Sequence, residues 1–268
     1  MNRKIGFIGS GNMGGAMIGG IIRAELVKKE DIYVADISEK NLGIVKENYG
    51  VNTTTDNAEV AKTCDIIVLS VKPQFYPVVI DGIKDVVKED AIIVVIAAGQ
   101  SSEAVKKLFG RDMKVAKVMP NTPALVGEGM AAFAPSKNMT QDEIDDVTAI
   151  LNSFGKSEIV AEHLMDAVTA VSGSAPAYVY MFIEAMADAA VAEGMFRPQA
   201  YKFAAQAVLG SAQMVLQTGK HPGELKDMVC SPAGTTIAAV TKLEETGFRS
   251  SVMQAMKACA DKSREMSK

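Results

Sequence analysis

Residues 4–14 constrain the fold more than any other stretch. A short apolar run at residues 4–8 meets Gly9-Ser10-Gly11-Asn12-Met13-Gly14, and a helical pattern then continues to about Ala24. Glycines at this spacing permit a tight turn after a strand, close approach of backbone to a ligand, and close packing of helix on strand. The helix that follows aims unpaired N–H groups and its positive dipole end at the turn, which suits a pyrophosphate. A bare motif of this kind is also compatible with a purely structural turn. Its place between a strand and a helix, at the start of a β-α-β pattern, favours nucleotide binding.

The alternation continues. Residues 32–35 read as a second strand, and Ser38 can cap a second helix. Asp56 with Glu59 has the spacing of a capping box for a third. Residues 66–71 and 92–97 are apolar and β-branched, as buried parallel strands are. Residues 114–119, 130–134 and 157–161 read as further strands, the last at an edge, and Thr140 with Glu143 opens a capped helix. The expected fold is an α/β, Rossmann-type, doubly wound parallel sheet. After about Glu162 the strand signals stop. Helical runs follow at 176–193, 198–217, 236–245 and from Phe248 onward, with Gly194, Gly219 and Gly247 as stops. The expected division is a dinucleotide-binding domain over 1–162 and an all-α domain over 163–268.

The helical run 176–193 is apolar nearly all round, with alanine at 177, 185, 187, 189, 190 and 192. Such a helix must be covered on all sides. A second subunit and a central place within one chain are both open on pattern. Residues 167–183 carry no charge, but they are short for a membrane span and are interrupted by Ser172-Gly173-Ser174-Ala175-Pro176. No membrane partner is expected. The formal net charge of -4 offers no basic field for nucleic acid. Cys64, Cys230 and Cys259 are an odd set, far apart, which suits a reducing compartment rather than a disulfide framework. His163 and His221 belong to no cluster with metal-ligand spacing, so no metal is expected. No signal-peptide h-region precedes the first strand, so a cytoplasmic location is expected.

Cofactor candidates lie at the carboxyl ends of the strands, where open α/β sheets bind ligands. They are Ile8, Gly9, Ser10, Gly11, Asn12, Met13 and Gly14 after the first strand, and Asp36 and Ser38 after the second. Asn57, Ser70, Val71, Lys72 and Pro73 follow, then Ala97, Ala98 and Gly99, then Met119 and Asn121. Small residues at 97–99 let a flat nicotinamide lie close, and prolines at 73, 120 and 123 stiffen their loops. Taken singly, each loop also reads as ordinary punctuation. Asp36 stands 22 residues after Gly14. Its carboxylate can accept from a ribose 2′-hydroxyl and would repel a 2′-phosphate. Ser38 and Lys40 could instead serve a phosphate, so NADP(H) and NAD(H) both stay open.

Residues 225–237 end in Cys230-Ser231-Pro232-Ala233-Gly234-Thr235-Thr236-Ile237 and open a helix. A small-residue loop at a helix N-terminus can hold an anion such as a carboxylate. Thr236 adds a hydroxyl. An ordinary N-cap by Thr235 or Thr236 accounts for the same residues.

Residues 4–14, Val71-Lys72-Pro73, 119–123, 171–178 and 221–244 together resemble pyrroline-5-carboxylate reductase, and the likeness runs essentially end to end. The element Asp227-Met228-Val229-Cys230-Ser231-Pro232-Ala233-Gly234-Thr235-Thr236, followed by a short amphipathic helix, is highly specific to that family. Many members carry glycine where this chain has Ala233. The expectation here is that position 233 does not need positive φ.

The resemblance implies the last step of proline biosynthesis, in which NAD(P)H reduces the C=N bond of L-1-pyrroline-5-carboxylate to L-proline. It implies homodimers, interlocked through the helical domains and assembled into a larger ring. It places Thr236 at the ring nitrogen. The amides around Ser231, Gly234 and Thr235 then hold the carboxylate, and Glu162 stands on the substrate side. A threonine hydroxyl is a poor acid, so a polarising or relaying role with positioning is expected of Thr236. Two other readings compete. A β-hydroxyacid dehydrogenase would use a lysine on a helix of the second domain, but residues 169–180 hold none. A non-catalytic nucleotide sensor would not need the carboxylate cradle.

Overall fold

Eight short strands form one sheet in the computed structural model, which describes residues 1–266. They are β1 (Ile5–Ile8), β2 (Ile32–Ala35), β3 (Asn52–Thr54), β4 (Ile66–Leu69), β5 (Ile92–Val95), β6 (Lys114–Met119), β7 (Gly129–Pro135) and β8 (Gly155–Ile159). The central strands are apolar at every position because both faces are covered. Ile5, Phe7, Ile66, Val68, Ile92 and Val94 bury into one layer, against α1 (Asn12–Arg23), α2 (Glu39–Tyr49) and α6 (Gln141–Asn152). Ile8, Ile67, Leu69, Ile93 and Val95 bury into the other, against α3 (Asn57–Thr63), α4 (Tyr76–Ile83) and α5 (Ser102–Phe109). The order β3-β2-β1-β4-β5-β6-β7-β8 reverses direction between β1 and β4. The crevice outside their carboxyl ends is therefore the place where such a sheet takes a ligand.

The sheet is not wholly parallel, which corrects the expectation. β7 runs antiparallel to β6, and β8 runs parallel to β7. Only a 3-10 turn (Thr122–Val126) separates β6 from β7, too little chain for a crossover, so the strand must return alongside. β3 was not expected either: three polar residues at an edge give no apolar signal. Thr140 and Glu143 form the expected capping box. Asp56 instead caps α3 by accepting from the N–H of Ala58 at 2.8 Å.

The change to helix after Glu162 is not where the compact units divide. One unit is Met1–Ser174 with the chain from Cys259 onward, and the other is Ala175–Ala258. The first thus keeps α7 (Met165–Val168) and a π-turn (Thr169–Gly173), whose Met165, Thr169 and Ala170 are buried. The second holds α8 (Ala175–Ala192), α9 (Arg197–Thr218), α10 (Pro222–Val229), α11 (Thr235–Glu245) and the start of α12 (Phe248–Met266). Gly194, Gly219 and Gly247 stop helices at positive φ, as expected. α10 went unforeseen; His221 caps it, its Nδ1 accepting from Gly223 N at 3.0 Å. Within this unit the buried residues are Ala187, Ala200 and Ala204, while Tyr180 and Met181 on α8 are 59% and 69% exposed. The reading of 176–193 as a central helix of a single chain is thereby overturned. Among the described residues no helix is long and apolar enough to cross a membrane.

Candidate active site

Gly9 lies at φ +98, and a Cβ there would stand 2.7 Å from the carbonyl oxygen of Ser70. A Cβ on Gly14 would stand 2.9 Å from Gly9 O, so helix and turn touch backbone to backbone. Gly11 differs. It is the N-cap of α1, no side chain caps it, and nothing lies within 4 Å of where its Cβ would point. The first N–H groups of α1 therefore face open space with no intrahelical partner. Ser70 braces the turn, its Oγ lying 2.5 Å from Gly9 O and 3.1 Å from Ile8 O. This cradle fits a diphosphate.

Beside it lies a cavity of about 350 Å³ lined by Ile8, Gly9, Ala35, Asp36, Ile37, Asn57, Val71, Phe75, Val78 and Val79. Ile8, Gly9, Asp36, Asn57 and Val71 were expected there. Ala35, Ile37, Phe75, Val78 and Val79 were not, since an apolar residue near a strand end reads as core. Asp36 is firmly held. Its Oδ2 accepts from Ser10 N at 2.8 Å and Ser10 Oγ at 2.6 Å, and its Oδ1 accepts from Ser38 N at 2.9 Å. Burial pushes its carboxyl up, but the hydrogen bonds from Ser10 and Ser38 outweigh that and hold it below the usual carboxylate range. Ser38 Oγ accepts from Asn41 N at 3.3 Å and so caps α2. Lys40 is exposed and lies outside the cavity wall.

The remaining candidates divide into surface and support. Lys72 is exposed, and Pro73 opens a 3-10 turn (Pro73–Phe75). Ala97 is buried, and Gly99 turns at φ +74, where a Cβ would stand 2.9 Å from Met266 O. Met119 is buried at the end of β6. Asn121 is a bracket: its Oδ1 accepts from Met130 N at 2.9 Å and its Nδ2 donates to Ser172 O at 3.3 Å. Ser101 caps α5, and Glu162 adds to its start, Oε1 accepting from Ser102 N at 2.8 Å. Lys117, on β6, was missed although a lysine amid apolar strand residues was visible. It is buried, and burial pushes its ammonium pKa down while Glu162 and Asp166 oppose the shift. Burial also pushes the Cys64 thiol up to about 12, so it stays protonated and is no nucleophile.

The second unit supplies the loop before α11. Gly234 N donates to Ser231 O at 3.1 Å, closing a turn with Pro232 and Ala233 at its centre. Ala233 lies at φ +56, which overturns the expectation for that position. Proline second and positive φ third are the marks of a type II turn. A Cβ on Gly234 would stand 2.3 Å from Ser231 Oγ, so a larger residue there would turn that hydroxyl aside. The N-cap of α11 is Gly234, with no side-chain cap bond, so neither Thr235 nor Thr236 is the cap. Thr236 is half-buried.

Residues 162–266 match the family described as pyrroline-5-carboxylate reductase dimerisation, and residues 4–99 match NADP oxidoreductase coenzyme F420-dependent. The chain is 50% identical to pyrroline-5-carboxylate reductase of Escherichia coli, covering 100% of both proteins. It is 43% identical to that of Methanosarcina acetivorans, covering 100% of this chain and 99% of the relative. The solved structure of Plasmodium falciparum pyrroline carboxylate reductase, with NADP bound, is 36% identical at a TM-score of 0.91, over 100% of this chain and 99% of that one.

Proposed function

This chain belongs to the pyrroline-5-carboxylate reductase family, and we infer that it reduces the C=N bond of L-1-pyrroline-5-carboxylate to L-proline, the last step of proline biosynthesis. NADP(H) or NAD(H), held by the cradle at Gly9–Gly14 and the adjoining cavity, supplies the hydride when bound.

One observation carries the assignment of the substrate loop: α11 opens at Gly234 with no side-chain cap. The N–H groups of Thr235 and Thr236 are thus left for a ligand at the positive end of the helix, and a carboxylate satisfies both demands. Gly234 N–H is spent on Ser231 O, so Gly234 contributes shape rather than a donor. The Thr236 hydroxyl makes no hydrogen bond within the chain's described residues, and it is assigned to the imine nitrogen of the ring. It polarises or relays rather than serving as a full acid, and holding the ring in place is its larger contribution. Homodimers that assemble into a larger ring extend this reading, supported by the near-absence of buried side chains in the second unit. Three unpaired cysteines fit a cytoplasmic setting.

Thr236→Ala tests the site. It should leave dinucleotide affinity and melting temperature unchanged, because Thr236 caps nothing. It should lower kcat/KM for pyrroline-5-carboxylate roughly ten- to a thousandfold, about 1.4–4 kcal/mol, and Thr236→Ser should recover much of the loss. Undiminished turnover by Thr236→Ala would overturn the assignment.

A further inference from the structure

We propose that Asp36 makes this chain prefer NADH to NADPH, acting as a fixed negative wall where a 2′-phosphate would sit. The proposal rests on the dinucleotide reading of the cavity, whose wall at the end of β2 is Ala35, Asp36 and Ile37. In a sheet of this order, the residue ending the second strand meets the adenosine ribose.

The carboxylate cannot swing aside. Ser10 N and Ser10 Oγ grip one oxygen and Ser38 N grips the other. Oδ1 accepts one such bond and keeps a lone pair, enough to take a bond from a ribose 2′-hydroxyl. A doubly ionised 2′-phosphate has no proton to give and would meet a charge of its own sign.

The cavity wall supplies no cation to offset that repulsion. No lysine or arginine lines the cavity. Ser38 gives its N–H to Asp36, and its Oγ accepts from Asn41 N, which ties the side chain to the cap of α2. The first turn of α2 sets Glu39 beside Lys40, so it adds no net positive charge for a phosphate. Ile37 is 94% exposed and Val78 is 67% exposed, so this part of the wall offers apolar surface to a base.

Binding of two fragments, measured by calorimetry on the full chain, tests the idea without turnover. Adenosine 5′-monophosphate should bind at least tenfold tighter than adenosine 2′,5′-bisphosphate, and kcat/KM should favour NADH by a similar factor. Asp36→Asn keeps the shape and removes the charge; Asp36→Ser also opens space. Both should collapse the tenfold gap, with unchanged circular dichroism showing that the fold survives. Equal or tighter binding of the 2′,5′-bisphosphate by the unsubstituted chain would overturn the proposal, as would a gap that persists in Asp36→Asn. If neither fragment displaces a bound dinucleotide, the cavity assignment falls, and this proposal with it.

Discussion

Ala233 holds φ +56 in the middle of the loop assigned to the substrate. A left-handed conformation costs a non-glycine residue about 1–2 kcal/mol. Glycine would remove that strain but add about 0.4–1 kcal/mol of chain entropy to the unfolded state. Ala233→Gly should therefore stabilise the protein by up to about 1 kcal/mol, read from chemical unfolding, with kcat/KM changed little. A clear loss of stability would mean that the alanine methyl makes a contact worth more than the strain. Legibility at this scale depends on what a side chain would do. Gly9 and Gly14 announce themselves because no Cβ fits. Ala233 does not, since a turn opened by proline and closed between Ser231 and Gly234 can carry either sign of φ at its third residue. The grip on Asp36 was equally hidden, because Ser10 reaches it across 26 positions of sequence.

Among the elements, the strands with apolar β-branched residues were readable, while β3 and α10 were too short and too polar to be seen. The direction of β7 depends on the length of the link before it rather than on the composition of the strand. The junction of α5 with the chain at Glu162 is a long-range matter too. Glu162 accepts from Ser102 N, at the positive end of α5, and its charge offsets that of buried Lys117. We propose that Glu162 acts chiefly as a brace, whereas the resemblance implies a place on the substrate side. Glu162→Ala should lower stability by about 1–2 kcal/mol, from the lost helix-end bond and the less compensated lysine. KM for pyrroline-5-carboxylate should move far less than it would for a residue touching the substrate. A large rise in KM with unchanged stability would restore the earlier role.

For the molecule as a whole, the second unit is the weak partner. Its buried side chains are alanines, and Tyr180, Met181, Phe203 and Leu216 remain open on the single chain. So little burial cannot offset the entropy of ordering these helices, and the matched dimerisation family describes what covers them. Light scattering at micromolar concentration should give a dimer or larger. Met181→Lys should abolish that mass, because an unpaired buried charge costs several kcal/mol, whereas Met181→Leu should keep it. A monomeric mass for the unsubstituted chain would refute this. The return of α12 has a consequence for the order of events during synthesis. The eight strands leave the ribosome early, and domains generally fold as they emerge. Yet Ser263, which hydrogen-bonds Asp166 at 2.6 Å, and Met266, which packs on Gly99, are translated only after the whole second unit. The unit that is made first is the one that is finished last.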